Sequence, residues 1–211
     1  MRKHIFIAAM LFISSVQLFS QTGKEFWFAL PYIDPSHDND ADITNCADTN
    51  FFRISTGEIG TTVEFYYFPS GTKTLLYSTK VAANTVKNLT VGNAAGLDLK
   101  LSDLHLSTYN TILERGIFIW SSAPINIYYE IGSPNNTELF PLKSKDALGK
   151  AFYPVLQNVY NNKNDATGSC GGWGLNSYTS LDIVATENNT TVTIDLPTGY
   201  TSSAYNTLVT R

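Results

Sequence analysis

The chain has 211 residues, 43% apolar, 13% aromatic and only 15% charged, with a formal net charge of -4. That length can bury a sizeable core as one domain or two, and the apolar content excludes a disordered chain. No Lys or Arg cluster could neutralise a row of phosphates, so charge argues against a nucleic-acid partner and against an anionic membrane surface.

Residues 1–20 read as a secretory signal peptide. Arg2-Lys3-His4 is a basic start, Ile5 to Phe19 is a mostly apolar run, and Ser20-Gln21 is a cleavage point. The run is short for a membrane span and no second one follows. No Cys lies near the cut to accept a lipid. The expected product is soluble and exported, secreted or held at the cell surface, without membrane insertion.

The exported part opens with GKEFWFALPY, Gly23 to Tyr32, an aromatic strand ending at Pro31. Phe26, Trp27 and Phe28 are consecutive, so both faces of the strand are covered, either by core packing or with one face as an exposed binding stripe. Next comes a polar loop, Ile33 to Asn50. Its Asp38, Asp40 and Asp42 alternate as carboxylates converging on a hard cation such as calcium do. Ile43 stands where an EF-hand loop needs Gly, and Thr49 where it needs Glu, so the loop is not an EF-hand. An irregular calcium site and a solvated acidic loop both remain open, with no other cofactor expected; His37 reads as surface polar.

Four stretches read as hairpins from alternating apolar positions around turn residues. Phe51 to Gly71 carries Glu58 in the place that Glu187 holds at the turn of the last hairpin. Thr72 to Gly92 turns at Ala82-Ala83-Asn84. Gly116 to Tyr129 turns at Ser121-Ser122-Ala123-Pro124, and Leu181 to Gly199 at Glu187-Asn188-Asn189. Between them, Leu97, Leu99 and Leu101, then Leu104 and Leu106, form a strand or edge segment with His105 on its other face. Pro134, Pro141 and Pro154 forbid long helices and leave room for one helical turn near Lys143 to Leu148.

Ile54, Ile119 and Ile183 hold matching places in three of these copies, about 65 residues apart, a spacing of repeated supersecondary units. Two hairpins per period make four strands, the count of a propeller blade. The expected fold is all-β, with repeated four-stranded antiparallel units in a propeller-like arrangement; a two-sheet β-sandwich is the alternative. The chain stops at NTLVTR without a closing strand, so residues 21–211 are expected to be one β domain truncated at its C-terminus.

Asn158 to Tyr178 is a Gly-rich loop long enough to need a binding role or a tether. Cys170 precedes the last hairpin as Cys46 precedes the first, so repeat logic places both on one rim, where an exported protein would pair them as a disulfide. Free thiols or pairing elsewhere are the alternatives. Trp173, flanked by glycines, either stacks on a sugar ring or a protein side chain or caps the core, and Tyr178 is the second candidate ligand-binding residue. No nucleophile motif accompanies His37 or His105, and Gly171-Gly172-Trp173-Gly174 lacks the Lys-Ser/Thr of a phosphate loop. No catalytic residue is assigned, and the chain is expected not to be an enzyme.

Several segments resemble the N-terminal domain of the IgGFc-binding protein family. They are Gly23-Lys24-Glu25-Phe26 running to Pro31, Ser121-Ser122-Ala123-Pro124-Ile125, and Pro141-Leu142 with Leu148-Gly149-Lys150-Ala151-Phe152-Tyr153. The most specific is Ala185-Thr186-Glu187-Asn188-Asn189-Thr190-Thr191-Val192-Thr193-Ile194. The resemblance implies an extracellular adhesion or ligand-binding module without catalytic residues, whose partner is an extracellular protein or glycan. A calcium-dependent carbohydrate-binding module or a secreted glycan-active enzyme is the alternative.

Overall fold

The computed structural model describes residues 22–31, 49–92, 99–100, 112–132, 138–154, 181–195 and 207–210. Ten strands run through them: β1 Gly23–Phe28, β2 Thr49–Thr56, β3 Thr61–Tyr67, β4 Thr74–Val81, β5 Val86–Gly92, β6 Leu99–Lys100, β7 Ile117–Gly132, β8 Glu138–Pro141, β9 Thr190–Thr193 and β10 Thr207–Thr210. The helical segments among the described residues are two short 3-10 turns, Pro69–Gly71 and Lys145–Ala147. The all-β expectation holds, and the helical turn falls where the prolines left room for it.

Eight strands form one sheet in the order β4-β3-β7-β2-β5-β6, with β1 and β8 also paired to β7. All pairs are antiparallel except β5 with β6. The long strand β7 organises it. Its first half lies between β1 and β3, and its second half between β8 and β2.

The expected hairpin turns are corners. Thr49 to Thr56 pairs with Gly132 to Ile125, and after Gly57–Gly60 the chain continues in the same direction, with Val63 to Tyr66 pairing with Ser121 to Phe118. β4 and β5 likewise run end to end, β4 along β3 and β5 along β2. Ser121–Pro124 lies inside β7 itself. Three long strands therefore bend at neighbouring points, and the sheet curls into two arms: β4-β3-β7-β1 and β6-β5-β2-β7-β8. The expected repeat of four-stranded, propeller-like units is not seen among the described residues. Alternating apolar residues specify which face is buried, whereas backbone hydrogen bonds do not record which strand is the neighbour.

Small hydroxyl residues hold the bend. Ala123 donates its backbone N–H to Thr61 Oγ1 at 3.0 Å, and Thr62 donates its own to Ser122 Oγ at 3.0 Å. The Ser121 hydroxyl donates to the Ala123 carbonyl at 2.8 Å. Between the other two corners, Asn84 N–H donates to the Gly57 carbonyl at 2.7 Å, and Thr85 N–H to Thr56 Oγ1 at 3.1 Å. Asn84 sits at φ 51, in the left-handed region that Asn tolerates. Main-chain groups that lose ladder partners at the bend thus regain them from side chains and turns. The reversal between the first two bent strands comes later, at Phe68–Lys73, where Ser70 and Gly71 adopt φ 48 and 80.

The concave side is the core. Phe26, Val63, Phe65 and Ile119 from one arm meet Phe52, Ile54, Leu89, Ile127 and Tyr129 from the other, all at most 1% exposed. Phe52 lies 5.2 Å from Phe65 and 5.1 Å from Tyr129 between ring centroids, and Phe28 lies 5.2 Å from Tyr129 across the arms. Full burial of each such side chain contributes about 1.5–3 kcal/mol.

The last expected hairpin also differs. Residues 181–185 form no strand, Ile183 is 39% exposed, and Thr190–Thr193 pairs with Thr207–Thr210 in a separate two-stranded sheet. Ile54 and Ile119 are core residues while Ile183 is not, so the three do not share one environment.

Candidate ligand-binding face

On the arm β4-β3-β7-β1, residues alternate between the core and the opposite, outward side. The register arranges the outward ones in three rows. Leu75, Tyr66, Phe118 and Trp27 form the first, and Ser78, Glu64, Trp120 and Glu25 the second. Lys80 and Thr62 pair in the third, with Ser122 beside Thr62.

The first row is a joined aromatic surface on the side away from the core. Trp27 stacks on Phe68 with centroids 5.4 Å apart and planes 17° apart, and it lies 4.8 Å from Phe118. Tyr66 is 6.1 Å from Phe118. Lys73, from the Phe68–Lys73 reversal, places Nζ 4.0 Å from the Tyr66 ring centroid and 4.7 Å from that of Phe118. Trp27, Tyr66 and Phe68 are half-buried, Phe118 is buried at 9% exposure, and Leu75 is 50% exposed.

In the second row the half-buried Trp120 stands between two carboxylates and makes no ring contact among the described residues. Glu25 is paired with Lys145 at 3.2 Å. Glu64 accepts a hydrogen bond from the Tyr66 hydroxyl. That bond, with smaller contributions from desolvation and the Glu64 charge, raises the Tyr66 phenol above its ordinary pKa of 10.0.

A titration follows from this. Folded Tyr66 keeps its proton where the unfolded chain has lost it, so the bond's contribution is full below a pH of about 10 and fades as pH rises through the folded value. Glu64→Gln is expected to move the Tyr66 midpoint back down, read from its ring-carbon NMR shift; an unchanged midpoint would show that Glu64 does not hold the phenol.

The third row borders an open cleft of about 490 Å³ at the sheet corner, lined by Gly60, Thr62, Lys80, Ala82 and Ser122 among others. On the second arm, the outward side carries a different feature. Arg53 donates from both Nε and Nη2 to Glu130 Oε2, at 3.1 and 2.8 Å, with its guanidinium 5.2 Å from the Phe51 ring centroid. This pair closes on itself and leaves less polar capacity for a ligand.

The residues singled out from sequence, Asp38, Asp40 and Asp42 for calcium, Trp173 and Tyr178 for ligand, and Cys46 with Cys170 for a disulfide, lie outside the described residues. So do His37, His105 and the leader expected over residues 1–20. Among the described residues no group of three or more His, Cys, Asp or Glu is placed to hold a metal ion, and no helix is long and apolar enough to cross a membrane. Trp27 was foreseeable as one side of a doubly covered strand. Tyr66, Phe118 and Trp120 were missed, although each puts a large ring on the otherwise polar side of an alternating strand.

No protein-family model, no curated protein and no solved structure matches this chain.

Proposed function

We propose that this chain is an extracellular, non-catalytic adhesion or ligand-binding module, and that it receives an oligosaccharide on the outward side of the arm β4-β3-β7-β1. The observation that carries this reading is the joined row Leu75, Tyr66, Phe118 and Trp27, facing away from the core with Trp120 beside it. Apolar area of this kind on a sheet's polar side costs solubility unless something covers it. Aromatic faces flanked by carboxylates match a sugar, whose C–H faces pack on rings while its hydroxyls donate to Glu25 and Glu64. The leader expected over residues 1–20 and the resemblance to the IgGFc-binding N-terminal domain support an exported binding module of that kind.

Glu25 and Glu64 flank Trp120 from two different strands, the layout that a glycan-cleaving pair would also need. Glu25 is already paired with a lysine and Glu64 with a phenol, which favours holding over hydrolysis.

The test is calorimetry and a glycan array on the full chain. Trp120→Ala, which removes no ring contact among the described residues, is expected to weaken oligosaccharide binding about tenfold, a loss of about 1.4 kcal/mol, without moving the melting temperature. Equal affinity of wild type and Trp120→Ala, or no oligosaccharide bound by either, would reject the proposal; release of reducing ends would replace it with the enzymatic reading.

A further inference from the structure

Resting on that reading, we infer that the oligosaccharide is acidic, and that the cleft at the sheet corner receives its carboxylate or sulfate group. The cleft is the polar end of the same face. Along β3, Tyr66, Glu64 and Thr62 point outward in succession, so the aromatic row and the cleft lie about 13 Å apart at the rise of an extended strand. One elongated ligand can lie across both.

The chemistry of the cleft selects an anion. Lys80 is its one charged lining residue, it is exposed, and neither ion pair among the described residues uses it. Glu64, two residues along β3 from Thr62, the residue that pairs with Lys80, is engaged by Tyr66. Ser122 Oγ accepts from the Thr62 amide and lies 2.9 Å from Thr61 Oγ1. Thr61 Oγ1 has one proton to share between the Thr62 carbonyl at 3.2 Å and Ser122 Oγ, and where it goes to Ser122 the serine's own proton is left to donate outward. Thr62 adds a second hydroxyl, and Gly60 contributes no side chain to fill the space. An ammonium with two hydroxyl donors binds a carboxylate or sulfate through charge-assisted hydrogen bonds. A neutral sugar gains less there.

The experiment is calorimetry on the full chain with three hexasaccharides: a neutral glucan, a polyuronate and a sulfated glucan. Both acidic ligands, or one of them, are expected to bind at least about tenfold tighter than the neutral one, with the advantage shrinking as salt rises. The stronger of the two identifies the anion. Lys80→Gln is expected to bring the affinity for the acidic ligand down to that for the neutral glucan. Equal binding of all three by wild type, or a preference that survives Lys80→Gln, overturns the inference, and in either case the Trp120→Ala result still decides the underlying reading. Absence of binding to all three overturns the inference, and the glycan array decides the underlying reading.

Discussion

Phe52→Ala is expected to lower the stability of the fold by about 3–5 kcal/mol, the range for removing a buried aromatic side chain. Phe52 is fully buried where the two arms of the curled sheet meet. Its ring lies 5.2 Å from Phe65 in one arm and 5.1 Å from Tyr129 in the other, with Phe28 edge-on at 6.0 Å. Neighbours fixed in two arms cannot both move inward, so a cavity remains. Against a typical total of about 5–15 kcal/mol the loss is severe. Urea denaturation is expected to show a lower midpoint at an unchanged slope. A loss below about 1 kcal/mol would mean that the arms do not share a core at this residue.

The second large effect belongs to the bend. Thr61 is 5% exposed; its hydroxyl accepts the Ala123 N–H and is 2.9 Å from Ser122 Oγ and 3.2 Å from the Thr62 carbonyl. Thr61→Val keeps the shape and orphans the Ala123 donor inside β7, which costs about 1–3 kcal/mol. Thr62→Val, on the outward side one residue away, is the control and is expected to stay within about 0.5 kcal/mol of wild type. Equal denaturation midpoints for wild type and Thr61→Val would show that the bend is held by the ladder alone.

The class of fold was legible because burial leaves a period in the sequence. Phe52 with Ile54, Val63 with Phe65, and Ile117 with Ile119 alternate as strands with one buried side require, and all six are core residues. What the residues do not encode locally is the destination of a strand after a turn. Gly57 to Gly60, Ala82 to Asn84 and Ser121 to Pro124 carry turn chemistry, yet at each point the chain bends and continues in the same direction. A corner and a hairpin draw on the same residues, and only pairing over long sequence distances separates them. Phe68–Lys73, where the chain does reverse, is marked by Pro69-Ser70-Gly71 in much the same way. The 65-residue spacing of Ile54, Ile119 and Ile183 therefore recorded similar strand patterns, while their surroundings differ.

The candidate face was half legible for the same reason. Three consecutive rings at Phe26, Trp27 and Phe28 force one outward, and that one is Trp27, stacked on Phe68. Its other companions come from register alone. Phe118 reaches Trp27 because Trp27 pairs with Phe118 across β1 and β7, and Tyr66 joins because it pairs with Phe118 across β3 and β7. Three strands far apart in the chain contribute to one row.

The most direct measurement is a backbone amide NMR titration of the labelled chain with the tightest-binding oligosaccharide. The shifted amides are expected to cluster at Glu25–Trp27, Thr62–Tyr66, Phe118–Trp120 and Lys80, on the strands that carry the three rows. Shifts confined to the second arm or to residues 33–50 and 158–178, with those strands unmoved, would contradict the proposed face.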